Sequence, residues 1–336
     1  MALDANNIYR KQVQLLVRVL PLVDTEKCFA LKGGTAINLF YRALPRLSVD
    51  IDLLYIPMDD RETALINIRA ALSRISKLIE QKIPGTKVQN THDQSDALRL
   101  IVSQDEIRIK VELSPVIRGT VFSEVRMEVV EEVEKEFGYV EMQVASHPDL
   151  YAGKLCAALD RQHPRDLFDV KFLLENEGLT DDLRKTFLIF LISHQRPMSE
   201  LLAPNRKDIS EIYETEFKQM AEIDVPLEQL EEARENLIHQ INSQMTENEK
   251  KFLLSFKNKT PDWNLLEIEN VDVIANLPSV LWKMINLEKM PTQKHKEAFN
   301  KLQNILFPEH NNKHNFKNQK IYLLENFCEK SLHYGK

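Results

Sequence analysis

The chain is 336 residues long, 28% charged and 43% hydrophobic with only 8 Gly, which excludes disorder, collagen and disulfide scaffolds and leaves room for one large core or two ordinary ones. Its formal net charge of −7 argues at first against a nucleic-acid partner. Between Arg206 and Lys250, however, twelve acidic residues stand against five basic ones, so this stretch carries the whole net charge and the remainder is formally neutral.

The opening residues predict a helix, with Ile8, Leu15, Leu16, Val19 and Leu20 at helical spacing. Cys28 to Gly34 reads as a strand running into a turn, and Thr35 to Leu44 as a short helix. The segment Leu47 to Ile56 reads as a strand, because polar Ser48, Asp50 and Asp52 alternate with apolar Val49, Ile51 and Leu53. A long amphipathic helix is expected over 60–80, stopped by Pro84-Gly85. Two strands follow, 97–104 and 106–114, as a hairpin around Asp105-Glu106, and another strand near Val140 leads to a helix start at His147-Pro148-Asp149.

From Asp149 to Phe307 the pattern is helical, punctuated at Pro204, Pro226, Pro261 and Pro278. The expected fold is therefore α+β, a mixed β-sheet flanked by helices over 1–145, a mostly helical lobe over 146–307, and a basic, partly helical tail over 308–336. The terminal stretch from Gln293 carries 8 Lys against 4 Glu, the pattern of a solvated terminus or a nucleic-acid contact. Cys28, Cys156 and Cys328 lack metal-ligand or paired spacing and read as reduced thiols. With neither a signal-peptide pattern nor an apolar run of about 18 residues, the protein is expected to be cytoplasmic, with no membrane span.

The chemistry concentrates between Lys32 and Tyr55. A strand enters Gly33-Gly34-Thr35, a helix follows, and the next strand presents Asp50 and Asp52 on one face, about 6–7 Å apart. Two such carboxylates can share Mg²⁺, which prefers hard oxygens and is commonly completed by substrate phosphates. The glycines let backbone approach an anion closely, and the helix start favours negative charge. On the later strand Arg108, Lys110 and Glu112 share a face. Beside the Asp50/Asp52 strand, Glu112 would complete a triad for two metal ions, the arrangement of in-line phosphoryl transfer, which points to transfer of a nucleotidyl group from an NTP. Taken singly, a Gly-Gly pair is most often a turn and an Asp-x-Asp strand face a solvated edge; their order and spacing together carry the reading.

The strand, Gly33-Gly34-Thr35, helix and Asp50-Ile51-Asp52 pattern resembles the DNA polymerase β-like nucleotidyltransferase superfamily. The fuller string of Lys32, Gly33, Gly34, Thr35 and Ala36 with Arg46, Ser48, Asp50, Ile51, Asp52 and Leu53 resembles the AbiEii/AbiGii-type toxins of type IV toxin–antitoxin and abortive-infection systems. Lys154, Leu155, Ala157, Arg161, Arg165, Asp166 and Asp169 are similar to that family's second block, and the likeness extends weakly through Pro261-Asp262-Trp263 and Leu277, Pro278, Trp282 and Lys283. The resemblance implies a nucleotidyltransferase toxin using Mg²⁺ (or Mn²⁺) and an NTP, with tRNA 3′ ends as acceptors and a cognate antitoxin. It places Gly34 and Thr35 at the phosphate turn, Asp50 and Asp52 on the metal, and Lys154 and Asp166 in the second block.

Helical spacing puts Lys154 and Arg161 on one face, with Pro164 suited to the first turn of the next helix. Lys154, Arg161 and Arg165 would then meet a triphosphate, with Gly33, Gly34, Thr35 and Ser48 on its other side, and Asp166 would orient an arginine or act as a base. The same residues would also serve as an ion-pair lattice on a helix surface. His147 and His163 lack ligand spacing and are expected to cap helices or lie at the surface. Trp263 and Trp282 are expected as core anchors, or as a stacking platform for a base. A phosphate on Ser48 would compete with substrate for the metal. RNA is expected to bind along a local basic groove near Arg108, Lys110, Lys154 and Arg161. Two other readings use the same residues: a nucleotide-binding module acting through a protein partner docked on the acidic 206–250 stretch, and, ranked lower, an Asp-x-Asp phosphohydrolase.

Overall fold

The computed structural model describes residues 7–91 and 98–308; the 308–336 tail, beyond Pro308, and Cys328 lie outside the described residues. Seven strands form one mixed sheet in the order β3-β4-β5-β2-β1-β7-β6. They are β1 (Phe29–Lys32), β2 (Asp50–Tyr55), β3 (Thr86–Thr91), β4 (Leu98–Gln104), β5 (Ile107–Arg118), β6 (Val125–Glu128) and β7 (Glu141–Val144). Pairing is antiparallel for β1/β2, β3/β4, β4/β5 and β6/β7, and parallel for β2/β5 and β1/β7.

Strict alternation builds the sheet. Ile51, Leu53, Leu100, Val102, Ile109 and Val111 are fully or almost fully buried, while Asp50, Asp52, Arg108, Lys110 and Glu112 point to the other face. On the apolar side lie α1 (Ile8–Val23), opened by Asn7 accepting from the Tyr9 N–H, and α3 (Arg61–Lys82), capped by Asp60 accepting from the Glu62 and Thr63 N–H groups. Between them in sequence, α2 (Gly33–Ala36) is a single turn that widens into a π-turn over Ile37–Tyr41. The hairpin between β4 and β5 falls where expected, with Asp105 in the left-handed region.

Helix α4 (Glu131–Phe137) comes in sequence between the edge strand β6 and its neighbour β7, and helices follow from His147 onward. Ser146 caps α5 (His147–Asp160), His163 caps α6 (Pro164–Asn176) through its ring nitrogen on the Arg165 N–H, and Pro164 occupies the first turn. Thr180 caps α7 (Asp181–Ser193). The remaining helices are α8 (Met198–Leu202), α9 (Ser210–Ile212) with its π-turn, α10 (Leu227–Gln244), α11 (Glu247–Lys257), α12 (Val271–Ala275), α13 (Pro278–Glu288) and α14 (Thr292–Leu306). Helix α5 packs against α6 and α7 and, through α2, against the polar face of the sheet. Among the described residues no helix is long and apolar enough to cross a membrane. Trp263 packs at a tilt against Phe252 as a core anchor, but Trp282 does not: it is 42% exposed, beside exposed Leu281 and Ile285 on α13.

Candidate active site

A cavity of about 440 Å³ opens between the polar sheet face and α5, α6 and α7. Gly33, Gly34, Ser48, Asp50, Asp52 and Glu112 line it from the sheet side; Lys154, Arg161, Arg165 and Asp166 line it from the helices. The residues expected from the sequence therefore converge on one space, except Thr35.

Thr35 is fully buried behind the turn. Its hydroxyl donates to the Asp50 carbonyl at 2.6 Å and lies 3.1 Å from the Ser48 hydroxyl. It fastens the start of β2 to α2, which corrects its expected place on the phosphate: it holds the strand that carries the carboxylates. Gly33 has φ +75, and a Cβ there would stand 2.3 Å from Asp52 Oδ2. A Cβ on Gly34 would stand 2.7 Å from an Arg46 guanidinium nitrogen and 2.8 Å from Ser48 Oγ. Only glycines let this turn lie against Asp52 on one side and Arg46 on the other.

Strand register sets Asp50 beside Lys110 and Asp52 between Lys32 and Glu112. Burial pushes the Asp50 carboxyl above the usual carboxylate range, with Asp52 adding to the shift and Lys110, Arg165 and Arg99 opposing it. Glu112 lies next to the pair as expected, but Arg99 holds it at 2.8 Å. Among the described residues no three His, Cys, Asp or Glu side chains gather closely enough to hold a metal ion. Of the expected triad, Asp50 and Asp52 stand as neighbouring carboxylates and Glu112 lies beside them drawn to Arg99, because β4 supplies it with a cation. Two hard carboxylate oxygens facing a glycine turn fit a divalent cation whose remaining ligands are phosphate oxygens and water.

The second block folds into a buried charge network. Arg46, 2% exposed, grips Asp169 with two hydrogen bonds of 2.8 and 2.6 Å. The Lys154 ammonium lies 2.9 Å from both Asp166 and Asp169, and Arg161 closes on Asp166 with two contacts, one of 2.9 Å. Burial alone would raise both aspartates, but Lys154 and Arg161 hold Asp166, and Arg46 and Lys154 hold Asp169, below the ordinary value. Asp166 is therefore placed to orient Lys154 and Arg161. Lys154 has three donors and spends two, leaving one for the cavity it lines. Arg165 makes no side-chain hydrogen bond or ion pair among the described residues, and its charge reaches Asp50.

Two contributors were named in the sequence without a role in the site. Arg46 joins the glycine turn to α6 across 123 residues of chain. Asp149, buried in the cavity wall, accepts from the Val121 and Phe122 N–H groups at 2.8 and 2.9 Å and from the Ser146 hydroxyl at 2.7 Å, so it pins the loop after β5. The Ser146-x-x-Asp149 spacing was a legible helix-start signal; its reach to the loop was not. Cys156 also lines the cavity, where burial raises its thiol well above its usual value.

A mixed sheet whose neighbouring strands carry a glycine turn and paired aspartates, faced from the helices by Lys154, Arg161 and Arg165, defines a nucleotidyltransferase. The chain belongs to the family described as nucleotidyl transferase AbiEii toxin, type IV TA system, whose model matches residues 14–276. It is thus a nucleotidyltransferase toxin of the type IV toxin–antitoxin class, which implies an NTP substrate and an antitoxin partner. Among solved structures it is similar to MenT4, a nucleotidyltransferase toxin of Mycobacterium tuberculosis H37Rv, with a TM-score of 0.58 and 16% identity over 83% of this chain and 95% of that one; that likeness concerns the fold. A comparison with curated proteins finds no match.

Proposed function

We propose that the protein transfers a nucleotidyl group from an NTP to the terminal hydroxyl of a tRNA 3′ end, with Mg²⁺ (or Mn²⁺) held by Asp50 and Asp52. The observation that carries this reading is the meeting of those two carboxylates with the Gly33-Gly34 turn in one cavity, faced by Lys154, Arg161 and Arg165. The charge of the wall supports a metal: the lining has six carboxylates (Asp50, Asp52, Glu112, Asp149, Asp160, Asp166) against five cations (Lys32, Arg46, Lys154, Arg161, Arg165). A polyanionic triphosphate entering such a wall needs added positive charge, which a divalent cation supplies while polarising the phosphoryl oxygens.

In this reading the Gly33 and Gly34 backbone cradles the terminal phosphates, with Ser48 at its side, and the remaining Lys154 proton and the Arg165 guanidinium meet the non-bridging oxygens. Arg161, half spent on Asp166, borders the same path. The acceptor oxygen forms a bond to the α-phosphorus, the bond to the bridging oxygen breaks, pyrophosphate leaves, and the hydroxyl proton is released to water. The sheet half supplies the carboxylates and phosphate turn; the helical half, from about residue 146, closes the NTP site and the acceptor cleft.

The test is incubation with each α-labelled NTP, Mg²⁺ and total tRNA. Label should enter RNA with one NTP preferred, and Asp50→Ala should abolish it. Transfer that persists in Asp50→Ala would overturn the metal assignment, and label entering no tRNA would overturn the acceptor.

A further inference from the structure

Away from the cavity, the polar sheet face continues across β5, β4 and β3, and its cross-strand rows can be read from the register. One row is Lys87, Ser103 and Arg108; the next is Gln89, Ile101, Lys110 and Asp50; a third includes Arg99, Glu112, Asp52 and Lys32. Residues paired across strands share a face, so all of these lie on the side opposite the apolar surface of Val102, Ile109 and Val111 that α3 covers.

This face is positive where the chain as a whole is negative. Beyond Asp50, Asp52 and Glu112 it carries Lys32, Lys87, Arg99, Arg108 and Lys110, and Lys87, Arg108 and Lys110 are exposed. Many surface cations elsewhere are paired, as in Arg74 with Glu26 or Arg206 with Glu235. Lys87, Arg108 and Lys110 have no side-chain hydrogen bond or ion pair among the described residues. A row of solvated like charges repels itself and gains nothing for the fold, so its use is sought in a partner.

We propose that this face, Lys87, Arg108 and Lys110 with Arg99 at its inner end, binds the phosphodiester backbone of a single-stranded polynucleotide and leads its end to Asp50 and Asp52. The proposal rests on the nucleotidyl-transfer reading and names the path its acceptor takes. Three inter-strand spacings separate β3 from β2, about 14 Å, so the cations form a track about two nucleotides long ending at the carboxylates. Continuity fixes the direction, since Lys110 pairs in register with Asp50. The rest of the face is Gln89, Ile101 and Ser103, without an aromatic ring on which bases could stack. Recognition is therefore by charge, tolerant of sequence and steep in salt.

The probe is a fluorescein-labelled single-stranded RNA oligonucleotide, titrated by anisotropy over a series of salt concentrations, with poly-glutamate as a competing polyanion. The variant is Lys87→Gln/Arg108→Gln, two exposed positions outside the cavity lining. Loss of two phosphate contacts should lower the slope of log affinity against log salt by about 1.4, taking about 0.7 per contact for single strands. In transfer assays KM for RNA should rise several-fold while kcat at saturating RNA holds, and NTP affinity by calorimetry confirms that the variant is folded. An unchanged RNA affinity and slope would overturn the proposal, as would poly-glutamate displacing RNA at equal charge concentration. RNA binding that depends on these cations in a protein that transfers no label to any RNA would uphold the face and refute the acceptor reading.

Discussion

Replacing Arg46 with Met tests whether the buried network holds the two halves of the site together. Arg46 and Asp169 are 2% and 1% exposed and joined by two short hydrogen bonds. Removing one partner of such a pair strands a desolvated charge, which costs about 3–5 kcal/mol. Lys154 stays 2.9 Å from Asp169 and offsets part of that charge, so the expected cost lies near the lower end, about 3 kcal/mol. Arg74→Met is the matched control: it grips Glu26 with the same two-bond geometry, 2.6 and 2.8 Å, but from a side chain that is 61% exposed. Urea unfolding followed by circular dichroism should show a clear fall in midpoint for Arg46→Met and almost none for Arg74→Met. The double variant Arg46→Met/Asp169→Leu should recover stability over Arg46→Met, because no orphan carboxylate remains on that side. Equal midpoints for Arg46→Met and Arg74→Met would refute the reasoning, since burial is the feature that separates them.

Gly33→Ala should abolish NTP binding measured by calorimetry, because it adds a left-handed strain of about 1–2 kcal/mol to a Cβ 2.3 Å from Asp52 Oδ2; Gly85→Ala, at φ +79 with its nearest atom 4.0 Å away, carries the strain without the contact and should leave binding intact. Asp166 and Asp169 have folded-state values below the ordinary 3.8, so the stability they confer is complete above that value and decays as pH falls through it; an acid titration of Asp169→Asn should therefore fall less steeply below about pH 4 than that of the parent. Burial, then Lys257, lowers Lys283 to about 8 where its ammonium donates to the carbonyls at the end of α7. The unfolded chain binds that proton up to 10.5, so stability should rise between pH 8 and 10.5 and the rise should vanish in Lys283→Met. Ser48→Glu should stop label transfer, since it adds a carboxylate beside Asp50, Asp52 and Glu112 at the cavity wall; unchanged transfer would refute competition from position 48 for the proposed cation.

Legibility followed periodicity. Asp50 and Asp52 were visible because polar residues interrupt an apolar strand at period two, and Asp60 and Pro84-Gly85 bracket α3 within two residues of its observed bounds. Edge strands left little pattern: β3 reads Thr-Lys-Val-Gln-Asn-Thr, and β6 reads Val-Arg-Met-Glu with three of its four residues exposed, so neither carries an apolar face. Glu112 was expected beside Asp52 on the condition that its strand lay next to β2, and the register agrees; the hairpin around Asp105-Glu106 also sets Arg99 opposite Glu112, a pairing that reading the strands one at a time passes over. Trp282 was misjudged because the side of α13 that carries it is left uncovered among the described residues.

Arg46 shows a different limit, and it bears on how variants of the second block should be read. A buried arginine is stable only against a carboxylate, and its carboxylate lies 123 residues away on α6. The block that looked like a set of phosphate ligands is therefore divided between two tasks. Asp169 and most of Asp166 are consumed in holding Arg46, Lys154 and Arg161, whereas Arg165 and one proton of Lys154 are left uncommitted among the described residues. Loss of activity in Lys154→Ala would follow equally from a missing phosphate contact or from Asp166 and Asp169 left facing each other. Arg165→Ala carries no such ambiguity: it breaks no ion pair among the described residues, so its effect on the KM for NTP, with an unchanged unfolding midpoint, isolates the helical wall's share in gripping the triphosphate.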